Sequence, residues 1–244
     1  MDDLILLSSS HLVDLPMELA ELHAHLQVGD THQLQTSLPD LQGRLTTVVE
    51  AAGFRVQRIT PQSAPPASAP LRTVFVRVER ALPDHVGENM AMLCCGLNPS
   101  LHAADAGVGY VTGSNRFWRA MDAAGLAGRD RDPHLLLREH HIGMTDLVKR
   151  ATARADELTT AEYCTGVARL DELCEWLQPA AVAAVGLAGW RAAVDRKATV
   201  GWQPRPLGGR PVYLLPSTSG LNAGTSLDDL VAHLQQAHAG PPAS

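Results

Sequence analysis

The chain has 244 residues, a net charge of −6, 45% hydrophobic and 4% aromatic content, and four cysteines. That balance fits a globular chain of one large or two small domains, and it excludes wholesale disorder and a disulfide scaffold. No apolar stretch reaches the ~18 residues of a membrane span, and the opening MDDLILL is acidic where a secretory leader is basic, so the expected location is cytoplasmic.

The first part carries most of the negative charge. Residues 1–70 hold eight acids and three bases, whereas the rest is close to neutral, so a basic face remains possible there and net charge does not choose the partner. The cysteines at 94, 95, 164 and 174 form no Cys-x-x-Cys pair and read as buried thiols. His134, His140 and His141 have no acidic or cysteine partner at ligand spacing, so no metal is assigned.

In chain order, Met17–Val28 and Leu41–Ala52 read as helices, and Gly53–Ile59 as a strand after a glycine stop, which makes residues 1–60 a small α/β extension of unknown role. Residues 61–70, rich in proline and small residues, read as a linker, with a second domain over 71–240. In that domain Thr73–Val78 alternates like a strand, and Met90–Cys95 is an apolar run ending at Gly96. Helical patterns follow at Asn115–Ala124 and within Asp156–Leu177. Ala180–Val185 and Pro211–Leu215 read as strands, and Thr225–Ala237 as a closing helix. Strands separated by helices predict an α/β fold whose parallel sheet is covered on both faces, with ligands beyond the strands' carboxyl ends.

Two loops lie at such ends. In Gly96-Leu-Asn-Pro-Ser100 the proline fixes a turn and biases Asn98 away from helix, a common structural device. The small residues from Ser100 to Gly113 leave backbone amides open beside Tyr110, which suits a pocket for a flat polar ring. The second loop, Leu215–Gly224, runs into a helix whose N-cap is Thr225 or Ser226. Its Leu221 either folds back under the loop or forms an exposed apolar tip able to wedge into a base stack, and the residues alone leave these even.

GLNPS, its spacing to NRFW, the block GMTDLVKRATARADELT at 143–159, STSGLN before the last helix, and the lead-in Leu82-Pro-Asp-His85 are collinear over 81–237. Together they resemble the mismatch-specific uracil/thymine DNA glycosylase family. The resemblance implies a three-layer αβα fold with a mainly parallel central sheet. It also implies a monofunctional DNA repair glycosylase, acting as a monomer on double-stranded DNA with uracil or a mismatch, that flips the base and hydrolyses its N-glycosidic bond. G:U mismatches would be preferred, other damaged pyrimidines would be further substrates, and no cofactor would be needed. Carried over by position, Asn98 orients the attacking water and Tyr110 stacks on the flipped base. Gly96, Leu97, Ser100 and His102 supply the amides around the leaving uracil. Leu221 is the wedge, and Ser217, Ser219, Gly220 and Asn222 hold the unpaired position and its phosphates. The chain departs from the family where Ser217-Thr-Ser219 replaces Asn-Pro-Ser, and Ala223 stands where a polar or basic residue is found, which puts opposite-base contacts in question.

One expectation comes from the residues alone. Asp105 is a carboxylate in the small-residue loop, able to activate water or stabilise an oxocarbenium-like sugar, or else a cap or turn residue facing solvent. Lys149, Arg150 and Arg154 read as a helix-edge cluster paired with Asp146, Asp156 or Glu157, and Phe117 and Trp118 as core. A different class of function on the same fold is a binder of mismatched or damaged DNA that does not cut.

Overall fold

The computed structural model describes residues 3–40, 43–61 and 71–242. Contacts divide the chain into a first unit ending at Asp84 and a second beginning at His85.

The first unit contains β1 (Asp3–Leu6), α1 (Leu15–His25), β2 (Thr31–Thr36), α2 (Arg44–Ala51), β3 (Phe54–Pro61) and β4 (Arg72–Val78). Its sheet has the order β1-β2-β4-β3, with β1 parallel to β2 and the other pairs antiparallel. This corrects the expected boundary. Arg72–Val78 was assigned to the second domain, yet β4 is an inner strand hydrogen-bonded on one side to β2 and on the other to β3. Apart from Pro61, the expected linker lies outside the described residues. The strand β2, spelled THQLQT, was not anticipated because its buried set is partly polar: His32, Leu34 and Thr36 point into the core while Thr31, Gln33 and Gln35 alternate outward.

The second unit is built on five strands, β5 (Met92–Gly96), β6 (Ile142–Asp146), β7 (Val182–Val185), β8 (Gly201–Trp202) and β9 (Val212–Leu215), in the order β6-β5-β7-β9-β8. All pairings are parallel except β8 with β9. The helices are α3 (Leu101–Ala106), α4 (Phe117–Ala123), α5 (Pro133–His140), α6 (Thr160–Leu177), α7 (Ala188–Ala193) and α8 (Leu227–Ala239). One face of the sheet carries Met92, Cys94, Met144 and Tyr213 packed against Phe117, Trp118 and Met121 of α4, Leu136 of α5, and Leu230 and Leu234 of α8. On the other side α6 buries Val167, Leu170 and Cys174 and α7 buries Trp190, giving a helix-sheet-helix sandwich. The expected α/β class and covered parallel sheet are thus observed, and Phe117 and Trp118 are core as expected, at 0% and 4% exposure.

Caps fix where these helices start. Thr159 and Glu162 form a capping box at α6, Ser226 and Asp229 form one at α8, and Asp132 caps α5 with Pro133 behind it. Each cap satisfies amides that a loop would otherwise leave to water, and so sets the position of the loop that precedes the helix. Of the cysteines, 94, 95 and 174 are buried, whereas Cys164 is exposed on α6, contrary to the expectation for all four. Burial pushes the Cys94 and Cys174 thiols up to about 12, so both are inert at neutral pH.

Candidate active site

The parallel strands β5, β6, β7 and β9 all end on one edge, and the loops leaving them carry the residues of interest. After β5 comes Gly96-Leu-Asn-Pro-Ser100. The Asn98 amide donates to the Pro99 and Arg150 carbonyls, both at 3.1 Å, and to the Thr152 hydroxyl at 2.8 Å. Two carbonyl acceptors fix which end of the carboxamide is nitrogen, and its oxygen accepts no hydrogen bond among the described residues. Backbone bonds join the same two segments: Thr152 donates to Pro99, Leu101 donates to Thr152, and Val148 donates to Leu97. The block at 143–159 therefore serves as the frame of the Asn98 loop.

Arg150, whose carbonyl receives Asn98, is held by a two-pronged contact to Glu162, at 2.7 and 3.2 Å. That hydrogen bond, with those from Thr159, brings the Glu162 carboxyl down to about 2. Arg154 pairs with its neighbour Asp156 as expected. Asp146, grouped with this exposed cluster from sequence, is instead 7% exposed at the end of β6. Arg169 of α6 donates to the Thr145 hydroxyl at 2.9 Å and to the Asp146 carbonyl at 2.5 Å, which fixes that strand end.

Gly96 lies between two of these groups. A methyl on its α-carbon would overlap a carboxylate oxygen of Asp146 and stand 2.9 Å from the Tyr110 hydroxyl. The tyrosine is stacked on Phe117, with centroids 4.0 Å apart and planes 19° from parallel. Its backbone is left-handed, φ +58°, a conformation that costs a bulky residue energy and is held only where its surroundings demand it. The hydroxyl is buried and makes no hydrogen bond among the described residues. Burial, then the charge of Asp146, pushes this phenol well above its ordinary range, so it is a neutral ring at any working pH. One face of Tyr110 is thus already taken by Phe117.

Other expectations change with the structure. The segment after Pro99 is helical: Ser100 caps α3 and accepts from the Ala103 amide, while the Leu101 amide donates to Thr152, so this stretch is a helix start rather than an open run of amides. His102 and Asp105 are exposed on this short helix. Asp105 accordingly occupies the solvent-facing position that was its structural alternative.

The second loop is braced by a residue that sequence reasoning passed over. Arg116, just before α4, sends its guanidinium to the carbonyls of Asn222 at 2.8 Å, Ser219 at 3.3 Å and Thr225, while its amide donates to Thr218. The only hint was its place in NRFW, one residue before a buried aromatic pair. Inside the loop, Asn222 donates through its side chain to the Ser217 carbonyl and the Thr225 hydroxyl, and Ser217 and Ser219 accept from amides at 219 and 221. Asn222, Ser217 and Ser219 therefore shape the loop itself. Gly220 packs so closely on Ser114 that a methyl would lie 2.7 Å from its β-carbon. At the tip, Leu221 is 96% exposed, so it does not fold back under the loop.

Among the described residues no group of three or more His, Cys, Asp or Glu side chains is placed to hold a metal. The family model for the uracil DNA glycosylase superfamily matches residues 83–237, which begins within two residues of the second unit and covers all its strands. The match spans well over half of the chain, so this protein belongs to the uracil DNA glycosylase superfamily.

Proposed function

We propose that the second unit is a monofunctional glycosylase that removes uracil from DNA, with preference for uracil opposite guanine. The observation that carries this is Asn98. Its amide hydrogens are committed to two carbonyls and a hydroxyl, so the carboxamide oxygen is aimed and costs nothing to orient. In the proposed reaction that oxygen accepts from a water, whose oxygen attacks C1′ of the deoxyribose. The C1′–N1 bond breaks, uracil leaves with the bonding electrons and is then protonated, and the water's second proton is lost to solvent. The products are free uracil and an abasic site. Asn98 does not titrate, and neither motif contains a lysine positioned to form a Schiff base.

Access to the base requires flipping, at a cost of a few kcal/mol that is lower at a mismatch, which supports the G:U preference. Leu221, held out by the Arg116-braced loop, is the residue proposed to fill the gap in the stack. Tyr110 is proposed as a wall of the pocket rather than a free stacking plate, since Phe117 covers one of its faces.

The test is single-turnover excision on duplexes with U opposite G, U opposite A and T opposite G, and on single-stranded U, for the wild type and Asn98→Ala. Fastest cleavage at U:G, with a loss of about 10²-fold or more in the variant, is the expected result. A folded wild type that shifts these DNAs in a gel but yields no alkali-labile strand would instead identify a damage-binding protein.

A further inference from the structure

The sheet of the first unit has a face that its helices do not cover. His32, Leu34, Val74, Val76, Val78 and Phe54 point into the core, and the alternate residues point away. Register aligns the outward residues in rows across the sheet: Leu4, Gln33, Phe75 and Arg58 form one, and Thr31, Arg77 and Arg55 the next. Leu4 is 60% exposed, Arg55, Arg58 and Arg77 are exposed, and Gln33 and Phe75 are half-buried. The β-bulge between Val56 and Arg58 brings Arg58 opposite Phe75. Its guanidinium lies over the ring, 4.1 Å from the centroid.

Charge on this face runs against the charge around it. Residues 1–70 carry eight acids and three bases, yet the sequences of β2, β3 and β4 contain four arginines and no Asp or Glu. One of the four, Arg72, is turned to the Leu38 carbonyl, and Arg55 is paired with Glu79 at 3.0 Å, which leaves Arg58 and Arg77 as the strongest cations of the face. Aromatic and arginine side chains gather in protein-binding patches too, so what favours a polyanion here is the excess of cations, with no acid in β2, β3 or β4. Here an aromatic ring and a guanidinium share the centre, and a second arginine stands two residues further along β4, about 7 Å away. That combination, a flat stacking layer with cations beside it, is what an unpaired nucleic-acid strand requires, since a duplex hides the base faces.

We infer that this face binds single-stranded DNA, with a base stacked on the Phe75–Arg58 pair and the phosphates drawn to Arg77 and Arg58. The site goes beyond the proposed excision reaction and does not depend on it, because the binding probe contains no uracil.

The experiment measures the anisotropy of a short labelled oligothymidylate, single-stranded or annealed to its complement, against the full chain, Phe75→Ala, and the double variant Arg58→Ala/Arg77→Ala. Circular dichroism melts establish that each is folded, and the arginine pair, being exposed, provides the test if Phe75→Ala is not. The expected result is single-strand binding weakened about tenfold in each variant, a change of twofold or less on the duplex, and unaltered single-turnover excision of uracil. The inference is overturned if the wild type does not bind the single strand, if folded variants bind it within twofold of wild type, or if duplex binding falls equally.

Discussion

The Asn98 side-chain nitrogen lies 2.8 Å from the Thr152 hydroxyl, a bond between residues 54 positions apart that ties the loop after β5 to the loop after β6. Thr152 is 4% exposed, and its hydroxyl is the one acceptor of Asn98 that a side-chain change can remove. Thr152→Val keeps the shape and deletes the bond. Excision is expected to fall about tenfold or more through misplacement of the carboxamide, while stability drops by about 1 kcal/mol. Single-turnover rates and denaturant melts separate the two effects.

Gly96 is a second position where the site tolerates no change. In Gly96→Ala the new methyl meets the Asp146 carboxylate and the Tyr110 hydroxyl, both buried against a close-packed strand end. The expected outcome is a loss of stability of about 1–3 kcal/mol together with loss of excision. Unchanged melts with full activity would show that Asp146 and Tyr110 move aside freely.

Arg116 and Leu221 are expected to act on the same step. Arg116→Ala releases three carbonyls of the second loop, so it lowers both stability and duplex excision. Leu221→Ala leaves the melting temperature unchanged because the side chain is 96% exposed. It is expected to slow excision from a duplex by about tenfold and from a single strand far less, since only the duplex needs a wedge. Equal slowing on both substrates would remove Leu221 from base flipping.

The Arg150–Glu162 contact makes the Asn98 frame sensitive to acid. The Glu162 pKa is lowered in the folded state to about 2, so its contribution to stability is present above the ordinary carboxylate pKa near 4.5 and is lost as pH falls from there toward 2. Glu162→Gln removes that pH-dependent part. The pair is at the surface, so the difference in melting temperature at neutral pH is small and shrinks in high salt. Melts from pH 7 down to pH 3 are the measurement, with the difference between wild type and variant expected to be constant above about pH 4.5 and to shrink steadily below it.

Asp105→Asn is expected to leave excision within twofold of wild type, because the residue is exposed on α3. A large loss, comparable with that of Asn98→Ala, would bring this carboxylate into the chemistry.

Local sequence determined what depends on local physics. Apolar runs such as Met92–Cys95, capping residues such as Ser226, and the glycine and proline of GLNPS announce strands, helix starts and turns without reference to anything distant. Collinear motifs likewise pointed to the loops that carry Asn98 and Leu221. The tertiary structure decided what depends on pairing across long separations. β4 joined the first sheet by pairing with β2 and β3, both of which precede it in the chain and flank it in the sheet, and no periodicity records which neighbour a strand selects. Asp146 became a buried wall of the site rather than a surface charge through the parallel register that sets it opposite Gly96. Arg116 became the brace of a loop a hundred residues away, and Asp105 turned to solvent, because hydrogen-bond partners and burial are properties of the packed chain and not of the residue types.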